Sequence, residues 1–414
     1  MKLKITALLL SGLALGTLSA RAQTAPTPAP AAPTPAPAAA TPTAPQGVQF
    51  YGWVEAGVTF NGTRPRDRQN FGRLFDDRAG DPLLNQVVYT AEETLAPKPG
   101  EFDWGFKLQG IVGSDGRFIH SLGLLDDRSV LKNTIQPDIV EAYLNFHIPG
   151  LTENGIDIKA GKFVTLEGAE TIDPRPMPFY SHSYIFNFGI PFNHTGALAT
   201  LHATKEYDIM FGITRGVNAS LKDNNSRPAF HGGLGFNLGK IVGSFSTHFG
   251  PETPHDNKHY RYLNDLTWTY ALTDKQSFIT DLNYIKDDAV KATGYGIAQY
   301  YTQTLSDTLS WGIRGEIWKD ADSFYVAQFA NSSDFIRLLR GDNFTPDPRT
   351  VGGGATTYRA ITVGLHYTVP VPKPLTGLVL RPEIRYDNSS RTKAFIDSKH
   401  KDQWTFGIDA VLTF

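Results

Sequence analysis

No cysteine occurs among the 414 residues, so disulfides, thiolate metal sites and lipid attachment through a thiol are excluded. Beyond the N-terminus there is no apolar run of roughly 18 residues, so no transmembrane helix is expected after processing. An excess of charge of either sign is also missing. The 39 Lys and Arg against 41 Asp and Glu give a net charge of −2, without the basic face that nucleic-acid binding needs. No G-x-S-x-G frame is present, which removes the usual marker of a serine hydrolase elbow. What is abundant suits a chain of strands and turns: 39 glycines and 12% aromatic residues.

The first residues read as an export signal. Lys2 and Lys4 precede a short apolar core, Ile5 to Leu18, and Ala20-Arg21-Ala22 is a small-x-small cleavage site. Residues 1–22 are assigned to this signal, and its removal makes the chain more acidic. Residues 23–48 hold TAPTPAPAAPTPAPAAATPTAPQ. This Ala/Pro/Thr tract cannot bury a core and favours extended polyproline II. It is read as a periplasmic linker, either semi-rigid or plainly disordered. Residues 49–414 are assigned to one domain.

Within that domain about sixteen short segments alternate with period two, as half-buried strands do. Val54, Ala56, Val58 and Phe60 share one face of YGWVEAGVTF, and Phe102, Trp104, Phe106 and Leu108 one face of FDWGFKLQGIV. Val140, Ala142, Leu144 and Phe146 share a face of IVEAYLNFHI. Further strands are placed near 155–163, 196–204, 206–215, 229–238 and 241–249. LTWTYAL, LSWGIRGEI, ITVGLHY, LVLRPEIRY and residues 403–414 complete those located. Short connections such as ATKEYD and LSDTLS alternate with long polar ones, 61–82, 113–136, 164–195, 216–228, 250–260, 320–355 and 387–402. Short turns on one side and long loops on the other is the layout of an outer-membrane barrel. An even strand number leaves both ends of the barrel domain on the short-turn, periplasmic side.

A soluble sandwich would also alternate, but it turns its apolar face inward. Three features favour lipid outside. Opposite charges lie close together on the polar faces (Arg314 with Glu316; Arg381, Glu383 and Arg385). Aromatics sit near strand ends: Tyr51, Phe60, Phe102, Trp104, Tyr270, Tyr386, Trp404 and Phe414. Such rings form girdles at lipid–water interfaces. The number of strands, with no good helix, is unusual for one soluble domain. The expected fold is all-β: a transmembrane antiparallel up-and-down β-barrel of about 16 strands with an inward-folded loop.

The last strand carries Trp404, Phe406, Ile408, Ala410, Leu412 and Phe414 on one face. It must pair with the first strand to remove both edges. Alternating apolar residues ending on Phe resemble the C-terminal signal by which bacterial outer-membrane proteins meet the barrel assembly machinery. Phe414 as a plain girdle aromatic fits equally.

Residues 161–200 contain Gly161-Lys162-Phe163, Gly168-Ala169-Glu170, Tyr180-Ser181-His182-Ser183-Tyr184 and Pro191-Phe192-Asn193-His194-Thr195-Gly196. With the opening GWVEAGVTFN they resemble the OmpL-like β-barrel porin-2 family of Gram-negative bacteria, over Phe50 to Phe414. DPRPMPF (Asp173 to Phe179) departs from the Asn-containing segment expected there. The resemblance implies a passive or weakly selective pore. It supplies no substrate and no catalytic residue.

Residues 164–195 are too long and too apolar for an ordinary surface loop. The expectation is that this segment folds into the lumen and narrows it. Its Glu167, Glu170, Asp173, Arg175, His182 and His194 would then face Lys107, Lys159, Arg314, Arg359, Arg381 and Arg385 from the strands. Opposed charges across a narrow opening orient solutes and select ions by sign. An extracellular cap or a subunit contact is the alternative.

Other signals are weaker. His248, His255 and His259 with Asp256 match no standard metal spacing, and a solvated loop is preferred. GGLG (Gly232 to Gly235) and VGGG (Val351 to Gly354) lack the G-K-S/T of a phosphate loop. Arg64, Arg66, Arg68, Arg73 and Arg78 either touch lipopolysaccharide phosphates or sit in a solvated loop, the latter slightly preferred. The functional expectation is a porin passing small hydrophilic solutes or ions, without cofactor, metal or enzymatic activity. Its partners are outer-membrane lipid, lipopolysaccharide and the assembly machinery, with a monomer and a trimer both open. A plugged structural or adhesive barrel, capped by 320–355, and an enzyme on a barrel are the alternatives.

Overall fold

The computed structural model describes residues 47–127, 129–326, 336–342 and 355–414. The export signal, most of the linker, VGGG and much of the 320–355 loop lie outside them. Among the described residues sixteen strands form one closed ring. In chain order they are β1 (Gln49–Asn61), β2 (Leu83–Glu93), β3 (Asp103–Gly113), β4 (Gln136–Gly150), β5 (Thr152–Val164), β6 (Asn193–His202), β7 (Tyr207–Thr214) and β8 (Ala229–Asn237). They continue as β9 (Ile241–Gly250), β10 (Arg261–Thr273), β11 (Gln276–Asp287), β12 (Ala292–Thr304), β13 (Leu309–Asp320), β14 (Thr356–Val369), β15 (Gly377–Ser389) and β16 (Asp402–Thr413). Each pairs with its neighbours in sequence, and β1 closes antiparallel on β16.

The register at that seam sets Val54 opposite Leu412, Ala56 opposite Ala410, Val58 opposite Ile408 and Phe60 opposite Phe406. All these residues face outward, so the terminal stripe and the first strand build one apolar strip. Elsewhere Trp104, Leu144, Ile361, Val363, Ile384 and Trp404 are likewise exposed on the outside of the wall. A continuous exposed apolar surface of this kind requires lipid. The backbone groups of the wall pair from strand to strand, as spanning a bilayer demands.

Thirteen of the strands fall where alternation places them. β2, β11 and β12 were not located from the pattern, for reasons visible in the fold. In β2 the register shifts, so both Asn85 and Gln86 turn inward and the alternation breaks. β11 and β12 carry apolar residues on the inner face, Ile279, Ile285, Ala298 and Tyr300, because the lumen is filled with protein there. A shift at Gln109/Gly110 in the β3–β4 pairing also turns Val140 inward, against the expected outer face. Tyr51 is a second correction. Its hydroxyl donates to Glu92 and Arg175 lies 5.2 Å from its ring, so it faces the lumen while Phe50 stands outside.

The hydrophobic core lies inside the barrel. It joins Trp53, Val88, Ile111, Leu263, Trp318 and Tyr358 from the wall to residues of several loops, Phe118, Val217 and Phe395 among them. One is the 164–195 segment. Another is the middle of the first long loop, where Phe71, Leu74 and Phe75 are buried. Its Arg73 is buried too, with Asp76 at 2.5 Å and Asp387 at 2.7 Å. Arg64, Arg66 and Arg68 are exposed and Arg78 is half-buried beside Asp77 at 3.4 Å, whereas the burial of Arg73 corrects the reading of that loop as wholly solvated.

Candidate functional site

Residues 165–192 enter the barrel from the end of β5 and leave into β6. They contain little regular structure beyond a single π-helical turn, Ile185–Gly189. A buried segment of that kind must find partners for its own N–H and C=O groups. The inner faces of the strands provide them. Gly168 N–H donates to Asp265 of β10 (3.0 Å) and Ala169 N–H to Asp281 of β11 (3.0 Å). Tyr180 and Ser181 N–H donate to Glu383 of β15 (3.0 and 3.2 Å), and Tyr184 N–H to Glu316 of β13 (2.6 Å). Carbonyls are met by cations and amides. Arg381 Nη1 donates to Pro174 O and Met177 O (2.7 and 2.9 Å). Arg314 donates to Ser181 O (2.7 Å), Arg385 to His182 O (2.6 Å) and Gln86 Nε2 of β2 to Ile172 O (2.8 Å).

β2 and β10 stand eight strands apart in a ring of sixteen. The loop is therefore held from opposite sides of the barrel. Its apolar residues pack beneath these anchors. The Phe186 ring stacks on His182 with centroids 4.0 Å apart and meets Phe75 at 5.3 Å and Phe192 at 5.1 Å. Gly57 on β1 allows the approach of Tyr180, because a Cβ there would lie 2.5 Å from the Tyr180 ring.

The expected site residues separate into three groups. The first is buried and engaged. Glu170 pairs with Arg314 at 2.7 Å and with His182 at 3.0 Å. Burial pushes its carboxyl up, but Arg314, His182 and the Ser183 N–H outweigh that and hold it at about 2. Arg381 joins Glu55 (2.9 Å) and Asp409, and Arg385 joins Asp387 (2.8 Å) and Glu316 (3.1 Å). Arg314, Arg381 and Arg385 are at most 2% exposed. They clamp the loop rather than face water across an opening, which corrects the expectation for them. Glu167 and His194 are buried at the base of the loop, away from these clamps.

The second group is partly exposed. Arg175 and Asp173 form an ion pair at 2.6 Å with about a third of each side chain accessible (33% and 30%). The Arg175 guanidinium lies 4.1 Å from the Trp53 ring. Lys107 pairs with Glu141 at 2.6 Å, and Lys159 Nζ sits 4.5 Å from the Tyr143 ring. All belong to inner-face or loop positions on the β1–β5 side of the ring. The third group is Arg359 alone. It is exposed and alternates with the buried Tyr358 and Ala360, so it stands on the outer face with Ile361. It cannot line the lumen.

The sequence reading missed the acidic partners Glu55, Asp265, Asp281 and Asp409. Each lies on an inner face opposite a base or a backbone donor, but cross-strand neighbours are not legible without the register. His255 and His259 are exposed loop residues, and His259 pairs with Asp256 at 2.6 Å. His248 is buried in β9 and does not join them.

The family described as "Putative beta-barrel porin-2, OmpL-like" matches residues 47–414. Among solved structures, the anion-selective porin from Comamonas acidovorans aligns with a TM-score of 0.53 at 10% identity, covering 89% of this chain and 99% of that one. OprB of Pseudomonas putida aligns with a TM-score of 0.53 at 12% identity, covering 89% and 94%. At such identities these likenesses show the fold alone. Among curated proteins none matches.

Proposed function

Since the chain belongs to the OmpL-like β-barrel porin-2 family and folds as an outer-membrane porin barrel, we propose that it passes small hydrophilic solutes or ions through a lumen narrowed by residues 164–195. The observation that carries this reading is the loop's attachment to β2 and β10, on opposite sides of the ring. A segment held at both sides of a barrel reduces the free cross-section to what lies beside it. Barrels of sixteen strands otherwise leave a wide aqueous channel.

The charges that meet solute in this reading are the partly exposed ones: Asp173, Arg175, Lys107 and Lys159. Low-dielectric walls focus their field, so their sign balance selects ions. The buried clamps set where the loop sits and act on solute only through it. The N-terminal linker would lie in the periplasm, next to the start of β1. The C-terminal stripe ending on Phe414 would present the barrel to the assembly machinery.

A plugged barrel is the second reading, favoured by the near-complete burial of Arg314, Arg381 and Arg385. Liposome swelling with neutral solutes of graded size separates the two. A porin gives swelling that falls off with solute size, and removal of residues 168–190 raises the cut-off. No swelling by the folded wild-type barrel, with swelling only after that deletion, would establish the plug.

A further inference from the structure

At the base of the inward loop three histidines meet out of water. His194 is the second residue of β6, and His231 of β8 lies directly opposite His248 of β9 in the strand register. All three are 0% exposed, and they offer ring nitrogens that all lie within 4.8 Å of one another. Glu167, 2% exposed, points its carboxylate at them. Its oxygens lie 3.6 Å from His231 Nδ1 and 3.8 Å from His194 Nε2.

The hydrogen bonding here is incomplete. His194 Nδ1 meets the Gly216 carbonyl at 3.1 Å, which fixes an N–H there and leaves Nε2 with a lone pair. His248 Nε2 meets Glu252 Oε1 at 2.8 Å, which leaves Nδ1 as the acceptor atom when the carboxylate is ionised. Thr165 Oγ1 touches both His194 Nε2, at 3.2 Å, and Glu167. Among the described residues, His248 Nδ1, both ring nitrogens of His231 and Glu167 Oε1 have no hydrogen-bond partner. Buried polar atoms are seldom left so, because the loss of hydration is not recovered. One cation between the rings would meet His248 Nδ1, the lone-pair nitrogen of His231 and Glu167 Oε1 together.

We propose that His194, His231, His248 and Glu167 bind a first-row divalent cation of the zinc type. Three neutral imidazoles and one carboxylate are a zinc-type donor set. Gly216 O and Glu252 would hold two of the rings from behind, as outer-shell acceptors do at histidine metal sites. Ligand atoms around tetrahedral zinc sit roughly 3.3 Å apart for bonds of about 2.0–2.1 Å, so modest ring rotations close the observed spacing. The ion would fasten the loop, through Glu167, to β6, β8 and β9. This site is independent of whether the lumen is open.

The test uses the full chain refolded in detergent without metal, then given Zn2+ and passed through a desalting column. One zinc retained per chain is expected. Retention should be lost in His231→Gln, weakened roughly 10–100-fold in the positioning variant Glu252→Gln, and unchanged in His255→Ala/His259→Ala. Should His231→Gln fail to fold, Co2+ bound to the wild-type chain decides: intense visible bands of tetrahedral cobalt support the site. A folded wild-type barrel that retains no zinc, a weak octahedral cobalt spectrum, or equal retention by His231→Gln (an adventitious ion only) would overturn it.

Discussion

Arg381 and Arg175 are both inner-side cations, and they should behave differently when removed. Arg381 is buried between Glu55, Asp409 and two loop carbonyls. Arg381→Ala leaves two carboxylates without their counter-charge, and breaking such a buried network costs about 3–5 kcal/mol. A lowered temperature of heat-modifiable unfolding on gels is the expected readout; wild-type thermal stability would deny the clamp. Arg175 is a third exposed, and its pair with Asp173 is worth about 1 kcal/mol or less. Arg175→Glu should therefore fold normally and shift the reversal potential toward cations. Glu170 gives the pH response. Its folded carboxyl lies near 2 against an ordinary 4.5, so its stabilising effect is complete above about pH 4.5 and is lost as pH falls toward 2. Loop protection from protease should hold from neutral pH to about 5 and decline below; the same decline in Glu170→Gln would assign it to another group.

At the scale of elements, loop 165–192 depends on both its packing and the wall. Phe186 fills the space between Phe75, His182 and Phe192. Phe186→Ala should cost about 3–5 kcal/mol, read as earlier protease cleavage within the loop while the barrel stays intact. Gly57→Ala should act from the other side by forcing the Tyr180 ring away. Most strands were legible because lipid outside and polar groups inside enforce strict alternation, as in Leu309, Trp311, Ile313 and Ile317 against Arg314 and Glu316. The reading failed where the lumen is not water. Ile279 and Ile285 face inward because loop side chains pack on them, and a register shift beside Val140 changed its face. The inward loop itself was legible from its density of aromatics. Its clamps were seen as bases but not as clamps, because Arg314, Arg381 and Arg385 read alike whether they meet water or a carbonyl. Arg359 could not be told from them without the register, and the histidine cluster spans Glu167 to His248 with no local spacing to reveal it.

For the whole molecule, closure explains the terminal stripe. Phe414 N–H donates to Gly52 O (3.1 Å) and Gly52 N–H to Phe414 O (3.0 Å), completing the seam of β1 and β16. The wall closes on itself, carries its apolar residues outside and holds packed loop residues inside, and the proposed permeability rests on those inner residues. The most direct measurement is single-channel conductance of the refolded protein in a planar bilayer under a salt gradient. Discrete steps are expected, enlarged by deletion of residues 168–190, with a reversal potential that moves when Arg175 changes sign. A folded, heat-modifiable barrel that gives no steps until the loop is removed would show a plug in place of a pore.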